Sequence, residues 1–209
     1  MATALTDADL KRIQRMRKRI LYFVGFFLLL GLLFHQSSWP SDSAVSKLLT
    51  WSGAGLLALA IFGRLWTSVH LGRRKRLYLV NDGPYSIVRH PLYVFSILGA
   101  LGVAAQTASF LMMVIITVPI WLVFDRVARI EESFMTARFG VSYEEYKART
   151  PQYLPNPTRW VSPHSAPLEY NLLLRNLFDS LVFLIPAALV VSLRSLHAAH
   201  LIPVFYQTP

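Results

Sequence analysis

Between Gly83 and Tyr93 the chain reads Gly-Pro-Tyr-Ser-Ile-Val-Arg-His-Pro-Leu-Tyr. Two tyrosines, an arginine and a histidine therefore stand at the mouth of a segment that carries no charge from Leu92 to Phe124. A polar atom left unpaired at membrane depth costs on the order of several kcal/mol. Such a cluster at the entrance to an apolar span is expected to hold a ligand. Gly83-Pro84 sets a turn, with the proline fixing φ and the glycine relaxing the sterics. Pro91 suits the first turn of a helix, where its missing N–H loses nothing. His90 then falls near the N-cap, among backbone N–H groups that attract carboxylates and phosphates.

A second cluster follows the uncharged segment. Glu131 and Glu132 are adjacent acids with Arg126 and Arg129 close by in sequence. A carboxylate at this depth either binds an ammonium group or forms a solvated helix face paired with those arginines. His90 is likewise either a structural hydrogen-bonder or a participant in chemistry. Both alternatives stay open on residue type alone.

These clusters need elements to position them, and composition names the class. Hydrophobic residues make up 54% of the 209 residues and charged residues 15%, against roughly 25% charged in soluble domains. There is no cysteine, which excludes disulfides, a thiolate nucleophile and cysteine-ligated metal; no metal site is read from the sequence. The net charge of +10 would suggest nucleic acid in a soluble protein. Here the cations flank apolar blocks, which points to anionic lipid headgroups and membrane topology, with no nucleic acid as partner.

The expected class is all-α, a polytopic membrane bundle of about five transmembrane helices. Residues 1–19 are expected as a basic amphipathic helix on the membrane surface, with Thr6 as a cap and Leu10, Ile13, Met16 and Ile20 at helical spacing. The run into Phe34-His35-Gln36 has no clean cleavage site, so a retained first span from about Ile20 is expected rather than a signal peptide. A second span covers about Leu48 to Val69. It contains Arg64, which is expected near its end or snorkelling. The basic clusters before Ile20 and at Arg73, Arg74, Lys75 and Arg76 place both on the cytoplasmic side.

As one helix, Leu92 to Phe124 would run about 50 Å, beyond a hydrocarbon core of about 30 Å. A split at Gln106-Thr107-Ala108-Ser109 makes it a short helical hairpin, with Pro119 a potential kink in its second arm. The transmembrane core thus spans residues 20–125. Residues 126–170 are expected as a cytoplasmic helical cap and a proline-rich loop. Residues 171–209 contain a last apolar segment, Leu177 to Leu193, interrupted by Asp179 and Pro186.

The order Arg89-His90-Pro91-Leu92-Tyr93, helical hairpin, Glu131-Glu132, Phe139-Gly140-Val141-Ser142-Tyr143-Glu144-Glu145-Tyr146 resembles a family of membrane methyltransferases, which includes isoprenylcysteine carboxyl methyltransferases and phospholipid N-methyltransferases. Arg64-Leu65-Trp66 and Leu71-Gly72 look like its bacterial members. The resemblance covers residues 60 to 157 and implies S-adenosylmethionine as cofactor without a Rossmann domain. It implies that Leu77, Tyr78, Leu79, Val80, Tyr85, His90, Pro91, Leu92 and Tyr93 surround the cofactor and that Glu131 meets its amino group. Phe139-Gly140, Tyr143 and Tyr146 would close the cytoplasmic side, with His70 a further pocket residue.

On this resemblance the chain is expected to methylate a lipophilic acceptor that enters from the bilayer, in a bacterial inner membrane or endoplasmic reticulum membrane with the site facing the cytoplasm. A carboxylate or phosphate acceptor needs no base. For an amine, hydroxyl or thiol, Glu132, Tyr93 or His90 would take the proton. Arg89, Arg126 and Arg129 are the cationic candidates for holding an acceptor. Two positions depart from the family. Phe95 stands where a small residue is common. Val127 stands where the prenylcysteine enzymes carry the arginine that holds the substrate carboxylate. A sterol-reductase-type enzyme using NADPH and a non-catalytic lipid-binding protein are the competing readings. The acceptor and the oligomeric state are not legible in the residues.

Overall fold

The computed structural model describes residues 7–71, 78–162 and 170–209. The second basic cluster, Leu77 of the expected cofactor segment and the Thr6 cap lie outside them. The fold is helical: α1 (Asp7–Leu32), α2 (Ala44–Leu71), α3 (Pro84–Ile87), α4 (Pro91–Ala105), α5 (Phe110–Phe139), α6 (Val141–Arg149), α7 (Tyr170–Leu181) and α8 (Leu184–Ala198). A 3₁₀ turn, Pro157–Arg159, lies between α6 and α7.

Among the described residues, three stretches are long and apolar enough to cross a membrane: Ala44–Leu71, Phe110–Phe139 and Leu174–Ala198. They mark the chain as an integral membrane protein. The expected five are not reached by that measure, because α4 has only 15 residues and α1 carries its cations through its first half. Two expected boundaries also vanish. The surface helix and first span are one unbroken α1, and the last arm of the hairpin continues without a break into the charged segment as α5. Helix geometry is local, so a change from cationic to apolar sequence does not by itself end a helix.

The breaks that do occur have local causes. Ser43 caps α2 by accepting from the Ser46 N–H at 3.2 Å. Ser109 does the same for α5, accepting from Met112 N at 3.2 Å, which fixes the hairpin turn where the sequence places it. Ala108 takes φ 54° in that turn. Between α7 and α8 the helix lapses at Val182 and Phe183. Pro186 has no N–H for the Val182 carbonyl, and its ring crowds that oxygen.

α2 lies along α4, and two glycines allow it. A Cβ on Gly53 would stand 2.8 Å from the Gly102 carbonyl, and one on Gly102 2.9 Å from that of Gly53. Backbones this close admit no side chain. One end of the bundle gathers the hairpin turn. There Arg194 of α8 donates to Thr50 Oγ1 at 3.0 Å, to Ser46 Oγ at 3.0 Å and to the Gln106 carbonyl at 2.8 Å. β1 (His35–Ser37) pairs in parallel with β2 (Tyr206–Thr208) at the same end, a feature the all-helical expectation did not contain. The other end holds His90, Glu131 and Glu132. An apolar cluster of Tyr93, Phe124, Val127 and Ala128 lies beneath them, backed by Leu21, Ile97 and Ile120.

Candidate active site

The start of α4 and the middle of α5 face each other across the hairpin. His90 is the N-cap of α4 and Pro91 its first residue. Tyr93, one turn on, is 8% exposed. Its hydroxyl donates to Glu131 Oε2 at 2.7 Å. His90 Nε2 donates to Glu132 Oε1 at 2.9 Å, and Arg89 Nε lies 3.4 Å from the same oxygen. The His90 and Tyr93 rings stack with centroids 5.4 Å apart and planes 6° from parallel. The two acids are thus separated by role. Glu132 is buried and held by Arg89 and His90. Glu131 is half-buried and meets a phenol and a carboxamide.

The carboxamide belongs to Gln14 of α1, which donates to Glu131 Oε1 at 3.2 Å. Arg17, one turn further, donates to the Tyr93 hydroxyl at 2.8 Å and lies 5.5 Å from that ring and 5.9 Å from Phe124. Sequence reasoning did not find these two residues. Arg17 is one of six cations in a short stretch, and only tertiary packing turns it inward. Their i, i+3 spacing, which puts them on one helix face, was the available signal.

The loop after α6 closes the other flank. Pro151 accepts from Arg89 N at 2.8 Å, Asn156 N donates to the Ile87 carbonyl at 2.9 Å, and Gly83 N donates to Val161 at 2.9 Å. Ser86 Oγ donates to the Gly83 carbonyl at 2.7 Å and accepts from Val161 N at 3.0 Å. Tyr146 donates to the Tyr85 carbonyl at 2.8 Å. Burial raises the Tyr85, Tyr143 and Tyr146 phenols well above the ordinary value near 10. They stay neutral donors at any physiological pH. Gly140 ends α5 at φ 54°, a left-handed conformation that turns the chain into α6 and strains any side chain. Gly83, at φ 55°, faces the His70 ring, which a Cβ would approach to 2.7 Å. His70 thus reaches the loop.

Other expected residues are placed as follows. Val80, Tyr85 and Pro91 are buried, Leu79 and Leu92 half-buried, and Tyr78 is 68% exposed. Arg126 is exposed. Arg129 is also exposed and pairs with Asp125 at 2.8 Å; among the described residues no hydrogen bond or ion pair joins Arg126 or Arg129 to His90 or Tyr93. Tyr153 donates to Asp125 at 3.0 Å. Val127 is buried with Tyr93 and Phe124. The Phe95 ring fills the groove over Gly63 of α2, where a Cβ would meet it at 2.2 Å, so this departure is matched by packing between helices. Arg64 stands seven residues before the end of α2. It donates to Ser96 Oγ, and at 3.2 Å to the Asp179 carbonyl.

The arrangement fits the cofactor that the resemblance implies. Among the described residues Glu131 has neutral hydrogen-bond donors and no ion pair, so it can accept an ammonium group. Glu132 is already compensated and has no such need.

A family model described as phospholipid methyltransferase matches residues 48–142. The cobalt-zinc-cadmium resistance protein CzcN of Cupriavidus metallidurans is 35% identical over 173 residues, 83% of this chain and 79% of its own length. The nickel-cobalt-cadmium resistance protein NccN of Alcaligenes xylosoxydans xylosoxydans is 31% identical over 182 residues, 87% of this chain and 84% of its own. A protein-S-isoprenylcysteine O-methyltransferase of Schizosaccharomyces pombe is 35% identical over 83 residues, 40% of this chain and 35% of its own. No solved structure matches the chain significantly. The chain belongs to the phospholipid methyltransferase family, with the isoprenylcysteine methyltransferases among its relatives.

Proposed function

We propose that this protein is an integral-membrane methyltransferase that moves the methyl group of S-adenosylmethionine to a lipophilic acceptor, with its site on the cytoplasmic face. The observation that carries the reading is the division of labour between the two glutamates. One carboxylate is locked by Arg89 and His90. Among the described residues its neighbour meets only neutral donors, the Tyr93 phenol and the Gln14 carboxamide.

Glu131 would hold the cofactor's ammonium, and Tyr85, Val80 and the His90–Tyr93 turn would line its remaining surface. The cofactor supplies an activated methyl on a sulfonium, so the protein's work is alignment and exclusion of water. Arg89 and His90 orient Glu132, and through the α5 backbone Glu131. The Pro151–Val161 loop and the Tyr146–Tyr85 bond hold α3 and the start of α4 in register. Tyr93 fixes one Glu131 oxygen.

The two relatives matched over most of this chain are named for metal resistance. Among the described residues no three His, Cys, Asp or Glu side chains are grouped to hold a metal ion.

The test is direct binding of S-adenosylmethionine to the purified full-length protein in detergent, with NADPH as the competing ligand. Micromolar binding, weakened at least tenfold in Glu131→Gln, is expected. No binding, wild type and variant alike, or preference for NADPH, would overturn the reading.

A further inference from the structure

α1 lies wholly outside residues 48–142, the stretch that the family model matches. It nevertheless packs along α5 and reaches two residues at the centre of the site. Gln14, Arg17 and Leu21 follow one another at spacings of three and four, so they share one face of α1. Leu21 packs against the cluster of Tyr93, Phe124, Val127 and Ala128. Gln14 Nε2 donates to Glu131 Oε1 at 3.2 Å, and Arg17 donates to Tyr93 Oη at 2.8 Å. Gln14 and Arg17 are half-buried, whereas Arg15, Met16, Lys18 and Arg19 around them are exposed.

The donor and acceptor chemistry fixes the direction of this network. Arginine offers N–H donors and no acceptor, so the Tyr93 oxygen receives Arg17 with a lone pair. The phenol proton is then committed to Glu131 Oε2, to which it donates at 2.7 Å. A hydrogen bond received from a cation makes the phenol a stronger donor. Arg17 therefore acts on Glu131 through Tyr93, without an ion pair that would occupy the carboxylate; among the described residues none joins the two. The Gln14 carboxamide holds the other oxygen. Both oxygens of Glu131 are thus fixed by neutral donors, and the plane of the carboxyl group with them. A carboxylate has about four lone-pair sites, so acceptor capacity remains for a ligand.

The structure assigns Gln14 and Arg17 as positioning residues of the cofactor site: α1 orients Glu131 for the ammonium group, directly through Gln14 and by way of Tyr93 from Arg17. This rests on the methyltransferase reading and deepens it, because it puts part of cofactor recognition on a helix outside the family-matched stretch. The benefit is preorganisation. A glutamate already held at both oxygens has less rotamer freedom to lose when its ligand arrives. The residue types suit the task. A lysine at position 14 would place its own ammonium on Glu131 and exclude the ligand's, whereas a carboxamide steadies the oxygen and leaves the charge to the cofactor.

The test compares binding of S-adenosylhomocysteine and methylthioadenosine to the full-length protein in neutral detergent. Both carry the adenosine and a thioether, and only the first carries the amino-acid end with its ammonium group. Wild type is expected to prefer S-adenosylhomocysteine at least tenfold. Gln14→Ala and Arg17→Gln should each cut that preference several-fold while methylthioadenosine binds as it does to wild type. Arg17→Lys should keep most of the preference, because lysine still donates to Tyr93. Gln14→Lys should abolish it. Parallel weakening of both ligands in Gln14→Ala and Arg17→Gln would show a merely structural role and overturn the assignment. A preference that falls in Glu131→Gln but stands unchanged in the α1 variants would overturn the assignment and leave the proposed function in place. Wild-type protein that binds neither ligand would overturn the proposed function itself, and this assignment with it.

Discussion

The Tyr93 hydroxyl and Glu131 Oε2 meet at 2.7 Å across the α4–α5 hairpin, while the next residue along α5, Glu132, turns to His90 at 2.9 Å. Successive residues on a helix point about 100° apart. One helical step therefore sends two identical side chains into different surroundings. One is compensated by cations and buried. The other remains open to a ligand.

That difference predicts opposite phenotypes for one substitution at two neighbouring sites. Glu132→Gln removes the acid between Arg89 and His90 and leaves two buried donors without their anion. A loss on the order of 3 kcal/mol in stability is expected, read as a lowered Tm in detergent, with weakened cofactor binding as a consequence. Glu131→Gln should leave Tm within about 1 kcal/mol of wild type, since the amide still accepts from Tyr93. Equal destabilisation by both substitutions would contradict the division of roles.

The groove over Gly63 makes a second prediction. Gly63→Ala places a methyl 2.2 Å from the Phe95 ring, and overpacking of this kind costs about 1–3 kcal/mol. Phe95→Ala leaves a void at the same spot. The double substitution Gly63→Ala with Phe95→Ala should recover part of the combined loss, because the new methyl occupies the space the ring vacates. A strictly additive loss in thermal stability would show that the two residues do not meet.

At the far end of the bundle, His35 is buried at the β1–β2 pairing and bonds Thr208 Oγ1 at 2.8 Å. Burial first, and the nearby His197 charge second, lower its pKa to about 4, from an ordinary value near 6.5. The sign follows from linkage. Above about 6.5 neither the folded nor the unfolded state binds the proton, and the contribution of His35 is complete. As pH falls from about 6.5 toward 4 the unfolded state takes up the proton first, so stability declines across that window. Thermal scans from pH 7.5 to 4 should show a steeper fall for wild type than for His35→Gln. Parallel curves would mean that His35 titrates normally.

Much of the architecture was legible in residue order. The uncharged stretch from Leu92 to Phe124 is too long for one crossing, and Ser109 caps a helix in the way serine does, so the hairpin and its turn could be read directly. Pro91 and His90 announced a helix start, and Glu131-Glu132 an acid pair at a span's end. These signals are local: a cap, a proline or a run without charge acts within a few residues of itself.

Contacts between distant segments were not legible. Residue type alone does not separate Arg17 from the five other cations of α1, or Glu131 from Glu132, because their surroundings are made by helices far away in the chain. The short β1–β2 pairing joins segments about 170 residues apart, at a range where no periodicity carries information. Phe95 is visible in the sequence only as a departure from the family; that its ring lies over Gly63 of α2 comes from packing. Residue type determined which side chains were able to bind charge. Packing alone decided which carboxylate is engaged by Arg89 and His90, and which arginine of α1 turns inward to Tyr93.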